Sequence, residues 1–389
     1  MADTFTHSDP VTSARALSGM LSARTAEMDE VRRLPADLAA TMAQAGLFRL
    51  VLPESLGGYE APPRTLVETV EAVSQANASA GWCVMIGATT ALNAAYMDHD
   101  IAEDIYSDPL VITGGVFAPM GKAVDTGDHY RVSGRWQWGS GSANCTWLCG
   151  GSVILKDGEM LRLKNGMPDA RMMVFPASDA TLHDTWHVAG LKGTGSGDIS
   201  VNEILVPKAR SVSLMTDRPK EPGPLYTFPA FGLLALGVAS VALGNGRGAL
   251  NALKDLAQNK KSQGSSKTLA EKQVVQTDFA KLEAALRSAR AYLFDEIDQT
   301  WDVACSDGEI PLERRADLRL ACTNMVRVSA DVCRSAYDIG GGAALFLDND
   351  LQRHVRDSLA ITQHVATAPG TYEQTGRVLL GLDTFGGMI

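Results

Sequence analysis

The chain has 389 residues, 45% hydrophobic and 21% charged, with a formal net charge of −10. That length supports two or three units sharing large cores, and the composition is that of a globular protein rather than a disordered or fibrous one. The negative balance, with no basic stripe interleaved with aromatics, argues against nucleic acid as a partner.

The opening MADTFTHSDP lacks the basic start and apolar core of a signal peptide. Residues 11–106 then read as helical. The run 36–45 is Ala-rich and stops at Gly46, and PESLGGYE follows as a loop. Leu66, Val67, Val70 and Val73 share one face of the next helix, over 65–75. Residues 82–96 are apolar nearly all round, the pattern of a helix buried on most sides.

The texture changes near residue 110. Short β-rich runs punctuated by Gly, Asp and Asn fill 111–215: VITGGVF, HYRVSGRWQW, TWLCGGSVIL, RMMVFP and DISVNEILVP. Their close spacing predicts a small β-barrel or sandwich. Glu203 interrupts the last run, which reads as a bulge or an edge, and Pro207 ends it. From 228 the chain is helical again. The stretch 228–246 is rich in Gly and Ala and reads as a buried helix, not a membrane span. Further helices are predicted over 272–298, 318–338 and 351–365. The layout is α+β, with a helical unit (1–110), a β unit (111–227) and a C-terminal helical bundle (228–389).

Six cysteines, at 83, 145, 149, 305, 322 and 333, read as free thiols of a reducing cytoplasm. Cys145 and Cys149 flank Trp147 in an apolar run with no histidine close by, so buried thiols are favoured over a metal site. GNGRGA at 244–249 matches a dinucleotide fingerprint, but no strand precedes it, so close helix packing is the better reading. Of the histidines at 7, 99, 129, 183, 187, 354 and 364, most sit in polar surroundings and read as solvated. His364 differs, lying late in a helix among Leu359, Ile361 and Val365. Imidazole is the side chain best suited to moving protons near neutral pH.

The stretch 186–207, WHVAGLKGTGSGDISVNEILVP, packs Thr and Ser hydroxyls among glycines beside a Trp. It resembles the W-x-V-x-G-L-R-G-T-G-S-x-D segment of the acyl-CoA dehydrogenase superfamily. GLFRLVLPESLGGYE, SAGWCVMIG and YRVSGRWQWGSGSANCTW resemble the same family. IGGGAALFLDNDLQRHVRDSLAITQH followed by GRVLLGL resembles its flavin-dependent hydroxylases, the class D monooxygenases. The resemblance covers nearly the whole chain. It implies a homotetramer binding FAD or FMN between the β unit and the C-terminal helices, with a neighbouring subunit covering it.

That likeness assigns Trp138, Ser140, Trp186, Gly193, Thr194, Gly195, Ser196 and Gln273 to the flavin. The glycines would let backbone and hydroxyls approach its polar edge or phosphate, Trp186 would wall its ring, and Ser140 would lie beside N5. It assigns Trp82, Thr90, Phe117 and His364 to the substrate pocket. Within it, Ser140 and His364 would be catalytic, His364 as the base that deprotonates the substrate.

A dehydrogenase needs a carboxylate to take the substrate's α-proton. The family's two positions for it fall on Val365 and on AFGLLALGVASVALGNG, which holds no acidic residue. A missing acid/base costs about 10²–10⁴ in rate, which favours oxygen chemistry with reduced flavin from a separate reductase. The hydroxylases' other histidine falls on Thr90, against a phenol-type substrate. Two alternatives stand beside this reading: an acyl-thioester dehydrogenase using Glu373, and a non-catalytic binding relative.

Overall fold

Helices α1 (Pro10–Ala16), α2 (Ser18–Ala23), α3 (Thr25–Val31), α4 (Ala36–Gln44), α5 (Pro63–Ala76), α6 (Ala78–Thr90) and α7 (His99–Tyr106) precede the sheet. The chain is described here by a computed structural model over residues 8–261, 264, 266–306 and 308–384. His7 and part of the NKKSQGSSK loop lie outside those residues. Leu66, Val67, Val70 and Val73 are fully buried along α5, as their spacing requires. The all-apolar segment splits in two: α6 ends at Thr90 and a 3₁₀ turn covers Ala91–Tyr96.

The strands are β1 (Thr113–Asp125), β2 (His129–Trp136), β3 (Trp147–Lys156), β4 (Glu159–Met160), β5 (Ala170–Pro176), β6 (Thr181–His183), β7 (Asp198–Pro207) and β8 (Ser211–Val212). They form one sheet in the order β6-β7-β2-β1-β3-β5-β8, with β4 on β3. β6 and β8, at the two ends of that order, are not paired with each other, so the expected barrel or sandwich is one continuous sheet left unclosed along that edge. It curls over its own core of Trp136, Phe175, Val132 and Ile199. Trp136 is 1% exposed and donates through Nε1 to Gly151 O at 2.7 Å. A Cβ at Gly121 or Gly150 would lie 2.4 Å from its indole, which explains why the neighbouring strands are so rich in glycine. Glu203 has φ +55° at the register shift between β2 and β7; it is the expected bulge.

Pairing of β2 with β7 positions the site. Trp136 faces Ile199 at the end of the ladder, so the loop leaving β2 and the loop entering β7 run side by side. Gly139 N donates to Gly197 O at 2.9 Å and Gly141 N to Thr194 O at 2.8 Å.

Helices α8 (Pro224–Thr227), α9 (Ala230–Asn259), α10 (Gln273–Cys305), α11 (Leu312–Gly340), α12 (Asp350–Ile361) and α13 (Gly370–Leu379) follow. α9 is long and apolar enough to cross a membrane, but 89% of its most apolar window is buried inside the fold. It is the central core helix, and GNGRGA lies within it. A Cβ on Gly244 would stand 2.4 Å from Glu71 O, and one on Gly248 2.6 Å from His354 Cε1. The glycines serve close helix packing, as read from the sequence. His354 is buried, not solvated: it is 3% exposed, and its Nδ1 bonds Asn245 Oδ1 at 2.8 Å.

Gly244→Ala is expected to destabilise the fold by about 1–3 kcal/mol, because overpacking against backbone outweighs the roughly 0.5–1 kcal/mol that Ala gains in a helix. Gly376→Ala on α13, where a Cβ meets nothing within 4 Å, is expected to hold or raise stability. Urea unfolding of the two variants checks both signs.

Candidate functional site

Side by side, the two loops place three hydroxyls in a row. Trp82, on α6, donates through Nε1 to Ser140 Oγ at 3.0 Å. Ser140 Oγ lies 2.6 Å from Ser196 Oγ, which lies 2.6 Å from Thr194 Oγ1. Thr194 Oγ1 donates to Leu191 O at 2.8 Å. All three hydroxyl residues are buried, at 4%, 4% and 1% exposure for Ser140, Ser196 and Thr194.

Leu191 is the anchor. Its φ is +53°, a left-handed conformation that is uncommon for an apolar side chain. Its carbonyl also accepts from Trp186 Nε1 at 3.0 Å, and its N–H donates to Asp357 Oδ1 at 2.6 Å. Burial pushes Asp357's carboxyl up to about 6, against the pull of Arg353.

Trp138 also has a left-handed φ, +68°, and is 58% exposed. A bulky residue strained so as to present its indole to solvent points to a ligand rather than to packing.

His364 lies past the helix that should contain it. α12 ends at Ile361, and His364 caps the 3₁₀ turn Val365–Thr367, its Nδ1 accepting from Ala366 N at 3.2 Å. Its ring stands edge-on to Trp82, 5.5 Å between centroids at 70°. Burial, aided by Arg319, lowers its pKa to about 4, so the imidazole is neutral at pH 7. With Nδ1 occupied as an acceptor, the proton sits on Nε2. The expected base is therefore a hydrogen-bond donor. Two arginines of α11 hold the turn: Arg319 Nη2 donates to Ala366 O at 2.8 Å, and Arg327 Nη2 to Thr362 O and Thr367 O at 3.1 Å each.

The structure thus brings Trp82, Ser140 and His364 together, and it places eight other residues of the sequence reading apart from them or turned toward protein. Thr194 and Ser196 turn inward to Ser140, and Gly193 and Gly195 face protein: a Cβ on either would lie 3.0 Å from Met28 and Ser79 or from Arg33. Gly193 packs against α3 and α6, and Gly195, at φ +57°, sits against Arg33 just beyond α3. Trp186 is partly buried against the helical core. Gln273 opens α10, exposed. Thr90 lies eight residues beyond Trp82 on α6, about 12 Å along the axis, and lines a separate small gap with Asn93 and Trp147. Phe117 meets Phe231 edge-on at 5.5 Å, beside a cavity of about 810 Å³ lined by Tyr96, Phe228 and Phe231. That volume suits a small ligand, but Ser140, Trp82 and His364 do not line it.

The supporting arginines and the Asp357 clamp escaped the sequence reading. Arg319 and Arg327, eight residues apart on one side of α11, were the available signal. Cys145 and Cys149 are thiols held protonated by burial. Glu373 is exposed on α13, and Val365 is 78% exposed.

The set suits a flavin: an exposed indole, a second indole, a buried hydroxyl and a neutral imidazole, with no carboxylate among them. The families described as acyl-CoA dehydrogenase N-terminal domain and C-terminal domain match residues 12–100 and 236–369. The chain is 31% identical over 360 residues to the indole-3-acetate monooxygenase of Pseudomonas putida, covering 92% of this chain and 90% of that one. It is 27% identical to the flavin-dependent monooxygenase oxygenase subunit HsaA of Rhodococcus jostii, covering 95% and 97%. Among solved structures, 3-HSA hydroxylase from Rhodococcus sp. RHA1 superposes with a TM-score of 0.90 at 25% identity, covering 98% of this chain and 100% of that one.

His364 and Asp357 carry opposite pH signatures. The folded state holds His364 at about 4 against an ordinary 6.5, so the unfolded chain binds more protons in that window. Its contribution is present above 6.5 and is lost as pH falls through 4. Asp357, raised from 3.8 to about 6, contributes most below 3.8 and loses this as pH rises through 6. His364→Gln is expected to lose less stability than wild type on acidification across that range, and Asp357→Asn more. Urea midpoints at several pH values read both slopes.

Proposed function

The chain belongs to the acyl-CoA dehydrogenase superfamily, on its flavin-dependent monooxygenase branch, and from that premise we propose that it oxygenates a small, electron-rich aromatic substrate oriented by the Nε2–H of His364. Reduced flavin, when bound, supplies the two electrons that activate O₂, one oxygen atom entering the product and the other leaving as water. Trp138, Trp82 and Ser140 would hold the flavin. The chain's own part is to bind, to orient and to exclude water.

The neutral imidazole carries this reading. A ring whose Nδ1 accepts from Ala366 N and whose pKa is about 4 has no free lone pair for a substrate proton. It can donate to a substrate oxygen or nitrogen and fix the ring's distance from the flavin. Such a site needs a substrate that is nucleophilic without deprotonation, as indoles are. Thr90, where the branch resemblance expects a second histidine, agrees with that. An acyl-thioester dehydrogenase would need a carboxylate here, and exposed Val365 and Glu373 do not supply one.

The assembly belongs to the same proposal. Leu345, Phe346 and Leu347 are 68%, 67% and 86% exposed, and Leu379 and Leu380 59% and 77%. Large apolar side chains exposed in consecutive runs mark interaction surfaces. We read them as contacts of a homotetramer whose neighbouring copy covers the flavin and brings Gln273 to it. A separate reductase supplies the flavin, in a reducing cytoplasm. The three-part division at about 110 and 227 stands within this proposal.

The test is to mix the protein with chemically reduced FMN or FAD, ¹⁸O₂ and a panel of indoles and phenols. One ¹⁸O per product is expected, with indoles coupling better than phenols; peroxide alone with every compound would overturn the reading. His364→Gln, which keeps an N–H donor, should retain most turnover. His364→Leu should lose roughly three- to tenfold, the value of one neutral hydrogen bond. A loss of 10²–10⁴ in both would restore the base. Light scattering should give a tetramer that Leu347→Lys dissociates.

A further inference from the structure

The hydroxyl row has a fixed direction. There are three O···O contacts: Ser140 to Ser196 at 2.6 Å, Ser196 to Thr194 at 2.6 Å, and Thr194 to Leu191 O at 2.8 Å. Each needs one proton between its oxygens, because two lone-pair oxygens that close repel. Three hydroxyls supply three protons, and the carbonyl supplies none. Thr194 must therefore give its proton to Leu191 O, Ser196 its own to Thr194, and Ser140 its own to Ser196. At the other end Trp82 Nε1, a donor only, gives to Ser140 at 3.0 Å. No other assignment satisfies every contact.

Ser140 is left with no proton to offer a ligand. What remains is one lone pair, so toward anything bound against it Ser140 is an acceptor only. We propose that Ser196 and Thr194 are positioning residues that make Ser140 select the reduced flavin over the oxidised one. This rests on the reading that Ser140 faces the flavin's N5. In the reduced ring N5 carries a hydrogen and donates. In the oxidised ring N5 bears a lone pair, which would face Ser140's lone pair, and an unmatched buried pair of acceptors is unfavourable. The site would then take reduced flavin from a reductase and release the ring once it is oxidised. The selection comes from residues that do not touch the flavin at all.

The proposal fixes what each substitution does. Ser196→Ala removes the contact that holds Ser140's proton and frees it to donate to oxidised N5. Thr194→Val, of the same shape, removes two contacts and leaves two hydroxyls with one gap between them, so Ser140 can again turn its proton outward. Thr194→Ser keeps the hydroxyl and the direction.

The experiment measures anaerobic dissociation constants of oxidised and reduced FMN and FAD, and the midpoint potential of the bound flavin, in the tetrameric protein. Wild type should bind the reduced form more tightly and raise the potential above that of free flavin. Ser196→Ala and Thr194→Val should each lower the ratio of oxidised to reduced dissociation constants about tenfold. That is a drop of about 30 mV for a two-electron couple. Thr194→Ser should keep the wild-type ratio, and unfolding curves should show all three folded. If Ser140→Ala weakens reduced-flavin binding while Ser196→Ala and Thr194→Val keep the wild-type ratio, the directional row is wrong and the flavin site stands. If Ser140→Ala changes neither affinity, the flavin is not at Ser140 and both readings fall.

Discussion

Everything at this site depends on one carbonyl. Leu191 O takes the proton of Thr194, the indole N–H of Trp186 and so the direction of the whole hydroxyl row. Leu191 points it there because its backbone is left-handed, and Asp357 holds that conformation by accepting Leu191's N–H. A carbonyl cannot reverse its role as an acceptor, and at the other end of the row the indole N–H of Trp82, which gives to Ser140, cannot reverse its role as a donor. Between these two ends, three rotatable hydroxyls lose their freedom to choose. The polarity of Ser140 is set by groups up to three hydrogen bonds away.

The same logic governs the imidazole across from it. A histidine in a crevice invites the role of base because its ordinary pKa is near neutral. Here burial beside Arg319 removes the charge, and a backbone N–H at Nδ1 fixes the tautomer. What remains is a donor held by a turn that two arginines of α11 clamp at its carbonyls. Trp82 belongs to both halves. Its N–H feeds the hydroxyl row while its ring meets the imidazole edge-on, so α6 joins the sheet loops to the C-terminal helices.

Much of this was legible in the chain. Apolar periodicity places α5, the nearly uniform burial of α6 and the core position of α9, because hydrophobic spacing reflects which face leaves water. Glu203 and Pro207 mark a bulge and a strand end through local backbone chemistry alone. The absence of acidic residues in AFGLLALGVASVALGNG and at Val365 argues against a dehydrogenase before any geometry. Resemblance along nearly the whole length carries the family, and with it the flavin.

Side-chain direction was not legible. The sequence supplied hydroxyls, glycines and a histidine in suggestive order, and each was read as facing a ligand. Only the pairing of β2 with β7 turns Thr194 and Ser196 inward to Ser140, and only the nearness of Met28 and Ser79 and the left-handed φ at Gly195 show why Gly193 and Gly195 are glycines. His364 looked helical because Ile361 and Val365 keep the helical period, yet α12 stops first. The sequence by itself determined the helical and β layout, through residue types and local periodicity, and its resemblance to a known family supplied the family and the positions where a carboxylate is missing. Tertiary structure decided which hydroxyl donates, which nitrogen carries the proton and which glycine is crowded, since each depends on groups up to 166 residues distant in the chain.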